Sequence, residues 1–378
     1  MKILNLSLDK SILDKNSKTA TRIVEYGDLA DRYIVVVPDK DYKEIRLSEK
    51  VFVYGSGGGN KIFQLITVYR TAKKLLKSEK FDVITVQDQY YLALVGRILA
   101  KKFKIGLELQ IHGFEKYSGL RKIIADFAIS RASAIRCVSQ RLKKQLINEF
   151  GVKEEKITAA PIYSESIKFI KPACRTGRSK VHKVDNEDNN FIFLTVGRLV
   201  PVKNISLQIK AMAKLVEGEK SKVESKKIEL WIVGDGPEKS NLKYQISKLK
   251  LENNIKLLGW QNDTDKFYSQ ADAFLLTSDY EGWGMVAVEA ANYGLPIIMT
   301  DVGCAGELIE NEKSGLVVPV NNQVKLEEAM VIIIKDDSLR KKLAEGAFSA
   351  TKKLPSKEET LALYKQSWEK ARQNKPNR

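Results

Sequence analysis

The chain has 378 residues, 43% of them hydrophobic, and a formal net charge of +17. That length exceeds what one hydrophobic core usually supports, so two globular domains are expected. No apolar run reaches the about 18 residues of a membrane span, because Arg97, Lys101 and Lys102 interrupt the most apolar candidate, Tyr90 to Ile111.

The opening MKILNLSLDK passes from a lysine straight into a strand-like run, without the apolar segment and small-residue cleavage site of a signal peptide, which predicts a cytoplasmic protein. Cys137, Cys174 and Cys304 are widely spaced with no CxxC pattern, so neither a disulfide framework nor a metal site is expected. The charge is uneven. Residues 51 to 150 hold 18 Lys and Arg against 7 Asp and Glu, whereas residues 191 to 378 hold 28 against 25. Such a surplus attracts nucleic acid, anionic lipid or phosphorylated substrates, or else is a solvated surface.

In chain order, KILNLSL, YIVVVP, VFVYG, DVITVQ, IGLELQIHG and AIRCVS are short apolar, β-branched runs, several followed by amphipathic stretches. That rhythm predicts βαβ units and a parallel sheet. It returns after residue 190 as FIFLTVGR, ELWIVGDG, IKLLGW, AFLLTS, PIIMTD and GLVVPV, which predicts a second sheet. Between the two, residues 166–190 are polar and aperiodic, as a linker or loop would be. The expected division is therefore an N-terminal domain over 1–165, a linker, a C-terminal domain over 191–355, and a last helix over about 356–378 that follows Pro355 and docks back. Two open α/β domains would turn the carboxyl ends of their strands to one cleft, so functional residues are expected at strand ends and helix starts.

The most informative segment is SDYEGWGMVAVEAANYGLPIIMTDVG, Ser278 to Gly303. After the AFLLTS strand it opens a predicted helix carrying Glu281 and Glu289, eight positions apart, which project to one side if both are helical. Beside Glu281, Gly282 and Gly284 leave helix-start N–H groups open to an anion or a sugar hydroxyl. A carboxylate accepts two hydroxyls, so Glu289 suits a ribose diol and Glu281 a sugar diol; alternatively Glu281 complements the helix dipole and Glu289 is solvated. VGRLVPVKN places Arg198 and Lys203 on one loop after Gly197, a guanidinium fork and a point charge suited to a diphosphate, or ordinary surface charge. In WIVGDGPEKSNL, Gly234 and Gly236 turn a strand into a helix, but Lys239 stands where a dinucleotide fingerprint needs its third glycine. Likewise GSGGGNK, Gly55 to Lys61, is no phosphate loop, since Asn60 replaces the glycine before the lysine.

Taken together, GRLVPVKN, VGDGPE, LLGW, LLTSDYEGWGMVAVEAANYGLPII, TDVG and SGLVVPV resemble the C-terminal domain of the retaining glycosyltransferases of family 4, over about residues 191 to 320. The resemblance implies an α/β GT-B fold, two Rossmann-like domains facing across a cleft with a C-terminal crossover helix. It implies a hexosyltransferase that takes a nucleotide-sugar, UDP-sugar before GDP-sugar, with retention of configuration and no cofactor or metal. Arg198 and Lys203 would hold the diphosphate, Glu281 the transferred sugar and Glu289 the ribose, with Gly197, Gly234 and the backbone of Gly282, Trp283, Gly284 and Met285 contacting the donor. TDVGCAGE departs from the family's frequent double glycine at Cys304, though a strand-to-helix turn is still expected there. The N-terminal domain matches less: no glycine-rich loop follows the first strand, but LELQIHGFE puts His112 where the family keeps a histidine near the reacting sugar, a residue that could equally serve to fix its loop.

A saccharide or lipid-linked acceptor follows from the same resemblance, with cell-surface polysaccharide or glycolipid synthesis as its setting. The basic N-terminal domain adds an anionic membrane surface as a candidate partner, through apolar Ile62, Leu65, Ile66, Tyr69, Leu75 and Leu76 with Lys73, Lys74, Lys77 and Lys80, and through Arg121, Lys122, Arg131, Arg136, Arg141, Lys143 and Lys144. The rivals are another GT-B enzyme such as an epimerase or phosphorylase, a basic nucleic-acid-binding protein, and an inactive scaffold. No nucleic-acid partner is expected, since helix-turn-helix, zinc-finger and RNP signals are missing.

Overall fold

A computed structural model describes residues 1–114, 117–163, 190–222 and 227–375. The linker predicted over 166–190 lies outside them except for Asn190, and so do Cys174 and His182. The chain divides into two compact units, Met1–Tyr163 with Pro355–Arg378, and Ser164–Leu354.

In the first unit the chain runs β1 (Lys2–Ser7), α1 (Lys18–Asp28), β2 (Arg32–Val37), β3 (Tyr42–Arg46), β4 (Val51–Ser56), α2 (Lys61–Ser78), β5 (Val83–Gln87), α3 (Tyr91–Phe103), β6 (Gly106–Ile111), α4 (Gly119–Ser130), β7 (Ala134–Cys137), α5 (Gln140–Phe150) and β8 (Ile157–Ala159). The sheet order is β3-β4-β2-β1-β5-β6-β7-β8, and every pairing is parallel except that of β3 with β4. Each apolar run read from this part of the sequence is a strand. The two additional strands are the edges: β3, YKEIR, is mostly exposed and lacks an apolar face, and β8 is only three residues long. Helix starts follow the capping rules, with Ser17, Asn60 and Ser139 accepting backbone N–H bonds.

The second unit holds β9 (Phe191–Val196), α6 (Ile205–Lys222), β10 (Ile228–Val233), α7 (Lys239–Lys248), β11 (Ile255–Gly259), α8 (Asp265–Gln270), β12 (Ala273–Leu276), α9 (Met285–Asn292), β13 (Ile297–Thr300), β14 (Leu316–Val318), α10 (Gln323–Lys335) and α11 (Asp337–Thr351). Its six strands are parallel in the order β11-β10-β9-β12-β13-β14. Both faces of this sheet are covered, so Phe193, Leu194, Phe274, Leu275, Ile297 and Ile298 are all fully buried.

The last helix, α12 (Lys357–Gln373), opens on a capping box between Ser356 and Glu359 and packs on β6, β7 and β8 of the first unit. It buries Trp368 completely, 5.7 Å from the Tyr33 ring. Close approach is possible because β6 begins with Gly106, where a Cβ would come within 2.0 Å of the Ala371 carbonyl oxygen. Beneath the helix, Arg136 of β7 is buried and bonds Glu108 of β6 at 3.2 Å, and its guanidinium lies 3.6 Å from the centre of the Tyr364 ring. Arg136 therefore cannot join the basic surface for which the sequence suggested it, because its charge is neutralised in the interior.

Helix α2 also divides its apolar residues in a way the sequence did not separate. Val68, Ala72 and Leu76 enter the core, whereas Ile62, Phe63 and Ile66 are exposed, the first by 71%. Helix α4 similarly leaves Leu120, Ile123 and Phe127 exposed at helical spacing, and α3 lies between the two helices.

Replacing Gly106 by Ala should push α12 off β6 at a cost of about 1–3 kcal/mol. Hydrogen exchange read by mass spectrometry is expected to show faster exchange in α12 and β6 and unchanged exchange in β9 to β13; unchanged protection of α12 would contradict this packing.

Candidate active site

The strand order of the second unit reverses between β9 and β12, the point at which loops leaving neighbouring parallel strands diverge and open a crevice at their carboxyl ends. The loops that leave these two strands are Gly197 to Asn204 and Thr277 to Gly284, the same two stretches that hold the predicted diphosphate and sugar residues. Their backbones are tied directly: the Asp279 N–H donates to the Val202 carbonyl at 2.8 Å, and the Thr277 hydroxyl donates to the Asn204 carbonyl at 3.1 Å. Asn204, with φ of 46°, takes a left-handed turn that asparagine tolerates, and its amide donates to Asp279 Oδ1 at 2.8 Å.

The tie extends to side chains. Lys203 Nζ donates to Glu281 Oε1, and the Ser278 hydroxyl donates to the same oxygen at 2.7 Å. Only 11% of the Glu281 side chain and 23% of that of Lys203 is open to solvent, so each charge is shielded and depends on the other. An ammonium group has three donors, and Glu281 takes one of them. Arg198, on the same loop, is exposed and has no side-chain partner among the described residues, which leaves its guanidinium fork open to an anion.

Two features differ from the sequence reading. Glu281 is not helical: α9 begins at Met285, after Gly284 at φ of 90°, so Glu281 and Glu289 do not share a helix face. The start of α9, which follows directly on Gly282, Trp283 and Gly284, has no side-chain cap. And no helix follows TDVG: the chain makes successive turns through Asp301 to Ile309 before β14. Gly303, at φ of 57°, lies so close to the 281–283 loop that a Cβ would come within 2.6 Å of the Trp283 carbonyl oxygen, and the Cys304 N–H donates to that oxygen at 2.8 Å. Cys304 is fully buried, behind the loop and away from solvent.

Gly234 has a structural duty that accounts for its lack of a side chain. The Gly197 to Leu199 loop crosses the end of β10 so closely that a Cβ on Gly234 would lie 1.8 Å from the Gly197 carbonyl oxygen, and one on Gly236 would lie 2.4 Å from that of Leu199. The VGDG run thus serves a backbone crossing rather than a dinucleotide turn. Glu289, on α9, is partly exposed and accepts a 2.8 Å hydrogen bond from the Tyr268 hydroxyl.

Sequence reasoning missed Ser278, Tyr268 and Trp260. Ser278 was legible in principle as the first residue of S-x-x-E. Tyr268 gave no local signal, because it meets Glu289 only through the turn of chain around β12. Trp260 belongs to the LLGW run but was given no role; at the end of β11 its indole is 70% exposed.

His112 belongs to the first unit, immediately after β6. Its side chain is exposed, and desolvation by the surrounding protein, followed by the positive charges of Arg136 and Arg22, lowers the imidazole pKa to about 4. Gly113, next to it at φ of 151°, accepts a hydrogen bond from the Gln89 amide at its carbonyl.

With the geometry established, known proteins supply the relationship. Residues 178–350 match the family model described as glycosyl transferases group 1, and residues 29–161 match glycosyltransferase family 4. An Escherichia coli protein, UDP-Gal:alpha-D-GlcNAc-diphosphoundecaprenol alpha-1,3-galactosyltransferase, is 30% identical over 298 residues, covering 75% of this chain and 74% of that one. The chain belongs to the family 4 glycosyltransferases. Among solved structures, HepE from Anabaena in complex with UDP has a TM-score of 0.71 at 21% identity over 97% of this chain and 98% of that one. Sucrose-phosphate synthase from Thermosynechococcus elongatus has a TM-score of 0.77 at 17% identity over the same shares. These likenesses show the GT-B fold. Membership of the family makes this protein a transferase. Among the described residues, no helix of this glycosyltransferase is long and apolar enough to cross a membrane.

Because the native state holds His112 neutral and the unfolded chain binds a proton near pH 6.5, stability should fall as pH drops from about 6.5 through about 4, and His112→Asn should flatten that fall. Proton NMR is expected to show one of the two imidazoles titrating near pH 4; a His112 midpoint near 6.5 would contradict the packing described.

Proposed function

We propose that this family 4 glycosyltransferase moves a sugar from a nucleotide-sugar, UDP-sugar before GDP-sugar, to a saccharide or lipid-linked acceptor in cell-surface polysaccharide or glycolipid synthesis. Transfer proceeds with retention of anomeric configuration and without a metal or bound cofactor. The observation that carries the reading is the convergence of Lys203, Glu281 and Ser278 at the β9–β12 reversal, with Lys203 on the loop that also carries the exposed Arg198. In this arrangement the Arg198 fork and the two remaining Lys203 donors neutralise charge that develops on the departing diphosphate. Glu281, held by Lys203 and Ser278, accepts hydroxyls of the transferred sugar. Glu289 accepts the ribose diol, and the N–H groups at the start of α9 face sugar or phosphate. His112 of the first unit, in its neutral form, can hydrogen-bond a sugar hydroxyl without adding positive charge. The preference for uridine rests on UDP in the HepE complex and on the UDP-Gal in the name of the Escherichia coli relative.

Isothermal titration with UDP, GDP and ADP should give measurable binding, UDP first. Glu289→Ala and Lys203→Ala should each weaken it by about 1.5–3 kcal/mol, the worth of a charged hydrogen bond, with the fold kept. Transfer should continue in EDTA. Normal UDP affinity in both variants, or activity that vanishes with chelator and returns with manganese, would refute the assignment.

For the acceptor side we propose attachment of the first unit to the cytoplasmic face of an anionic membrane. The Escherichia coli relative is named for alpha-D-GlcNAc-diphosphoundecaprenol, and the exposed Ile62, Phe63 and Ile66 of α2, with Leu120, Ile123 and Phe127 of α4, are free of the core. The nearby cations are fewer than the sequence count, for Arg136 is interior, Lys122 pairs with Asp126 at 3.0 Å and Lys143 with Glu154 at 2.7 Å. Arg70, Lys74, Lys77, Arg131 and Lys144 are exposed, and each contributes on the order of 1 kcal/mol at an anionic surface. Sedimentation with liposomes should rise with anionic lipid, fall with salt, and drop on Phe63→Ser with Ile123→Ser; equal recovery with neutral and anionic vesicles would rule attachment out.

A further inference from the structure

Glu289, on α9, has its carboxylate bonded by a residue from another helix. Tyr268, on α8, is only 1% exposed, and its hydroxyl donates to Glu289 Oε2 at 2.8 Å. Its ring is immobilised by a parallel stack on Tyr293, with centroids 5.2 Å apart and planes 16° apart, and by Phe274 at 5.9 Å. With the ring clamped, the hydroxyl has little freedom except rotation about its own bond, and the neighbouring carboxylate defines that rotation. Burial, and then the charge of Glu289, raise the phenol pKa well above its ordinary value, so the group remains a donor throughout the working range. A carboxylate has acceptor directions for about four hydrogen bonds, and a donor fixed on Oε2 sets the plane in which the others lie.

We propose that Tyr268 is a positioning residue that sets the carboxylate plane of Glu289 and thereby the enzyme's preference for a nucleotide with ribose hydroxyls. The inference rests on the reading of Glu289 as the ribose ligand. It separates two kinds of loss: a misaligned carboxylate would reduce recognition of the hydroxyls, while diphosphate and base contacts would stay as they were.

The test is titration calorimetry with UDP and GDP, each beside its 2′,3′-dideoxy form, on the wild type, Tyr268→Phe, Glu289→Ala and the double variant. The wild type should prefer the ribonucleotide by roughly tenfold or more, and Tyr268→Phe, which keeps the stacked ring, should lose most of that preference with dideoxynucleotide affinity unchanged. In the Glu289→Ala background, Tyr268→Phe should add nothing, as a double-mutant cycle requires when one residue acts through the other. A preference retained in Tyr268→Phe overturns the inference alone, and so does an equal loss for both nucleotides, which would assign Tyr268 to packing. A wild type without the preference, or Glu289→Ala retaining it, overturns the ribose reading of Glu289 and this inference with it.

Discussion

The ion pair of Lys203 with Glu281 is the interaction on which the geometry of the loops at the β9–β12 reversal depends. It joins two loops that leave neighbouring strands at the point where the sheet reverses its order, and such loops otherwise diverge. Both groups are largely removed from water, so removing either partner would leave a shielded charge without its counterion, a loss of about 3–5 kcal/mol for a well-buried pair and less where solvent still reaches. The surrounding bonds follow from that joint. Ser278 adds a second donor to the same carboxylate oxygen, Asp279 and Thr277 bind the backbone of the 197–204 loop, and Gly303 permits the next loop to lie against the Glu281 to Trp283 backbone.

A different constraint organises the first unit. The buried Arg136 must have a counter-charge, Glu108 supplies it, and the face of Tyr364 covers the guanidinium from α12. Thr85 donates to the second oxygen of Glu108, and the Gln110 amide donates to Thr85 at 2.7 Å, so a polar ladder crosses β5, β6 and β7 one face below the strand ends. This ladder explains how the sheet buries charge, while the imidazole of His112 favours its neutral form first through desolvation and then through the charges of Arg136 and Arg22. It also makes α12 part of the first unit's interior, since Tyr364, Trp368 and Ala371 complete that core.

Glycines in the second unit illustrate how one residue type serves separate ends. Gly234 and Gly236 are required by a backbone crossing, whereas Gly284 adopts a left-handed conformation that turns the chain into α9 and exposes its first N–H groups. The crossing brings the Arg198 loop over β10, and the turn sets the helix start beside Glu281. Two local backbone requirements thereby shape the loops at the β9–β12 reversal.

Much of this was determined by the sequence alone. Alternating apolar runs and helices specify two parallel sheets because β-branched residues buried on both faces leave few other solutions, and the GRLVPVKN and EGWGMVAVE stretches identify the family and its charged residues by their order. What escaped was whatever depends on residues far apart in the chain. Edge strands such as β3 carry no apolar signal because solvent takes one side of them. Arg136 reads as surface charge until β6 supplies Glu108 beside it. The apolar residues of α2 read as one stripe until packing divides Val68 and Ala72 from Ile62 and Phe63. Lys203 and Glu281 were read as ligands for different parts of the donor, and only the tertiary structure makes them partners. The physical reason is common to all of these: periodicity and local propensity act over a few residues, whereas the neutralisation of a buried charge and the choice of a buried face are decided by whichever distant element arrives to cover them.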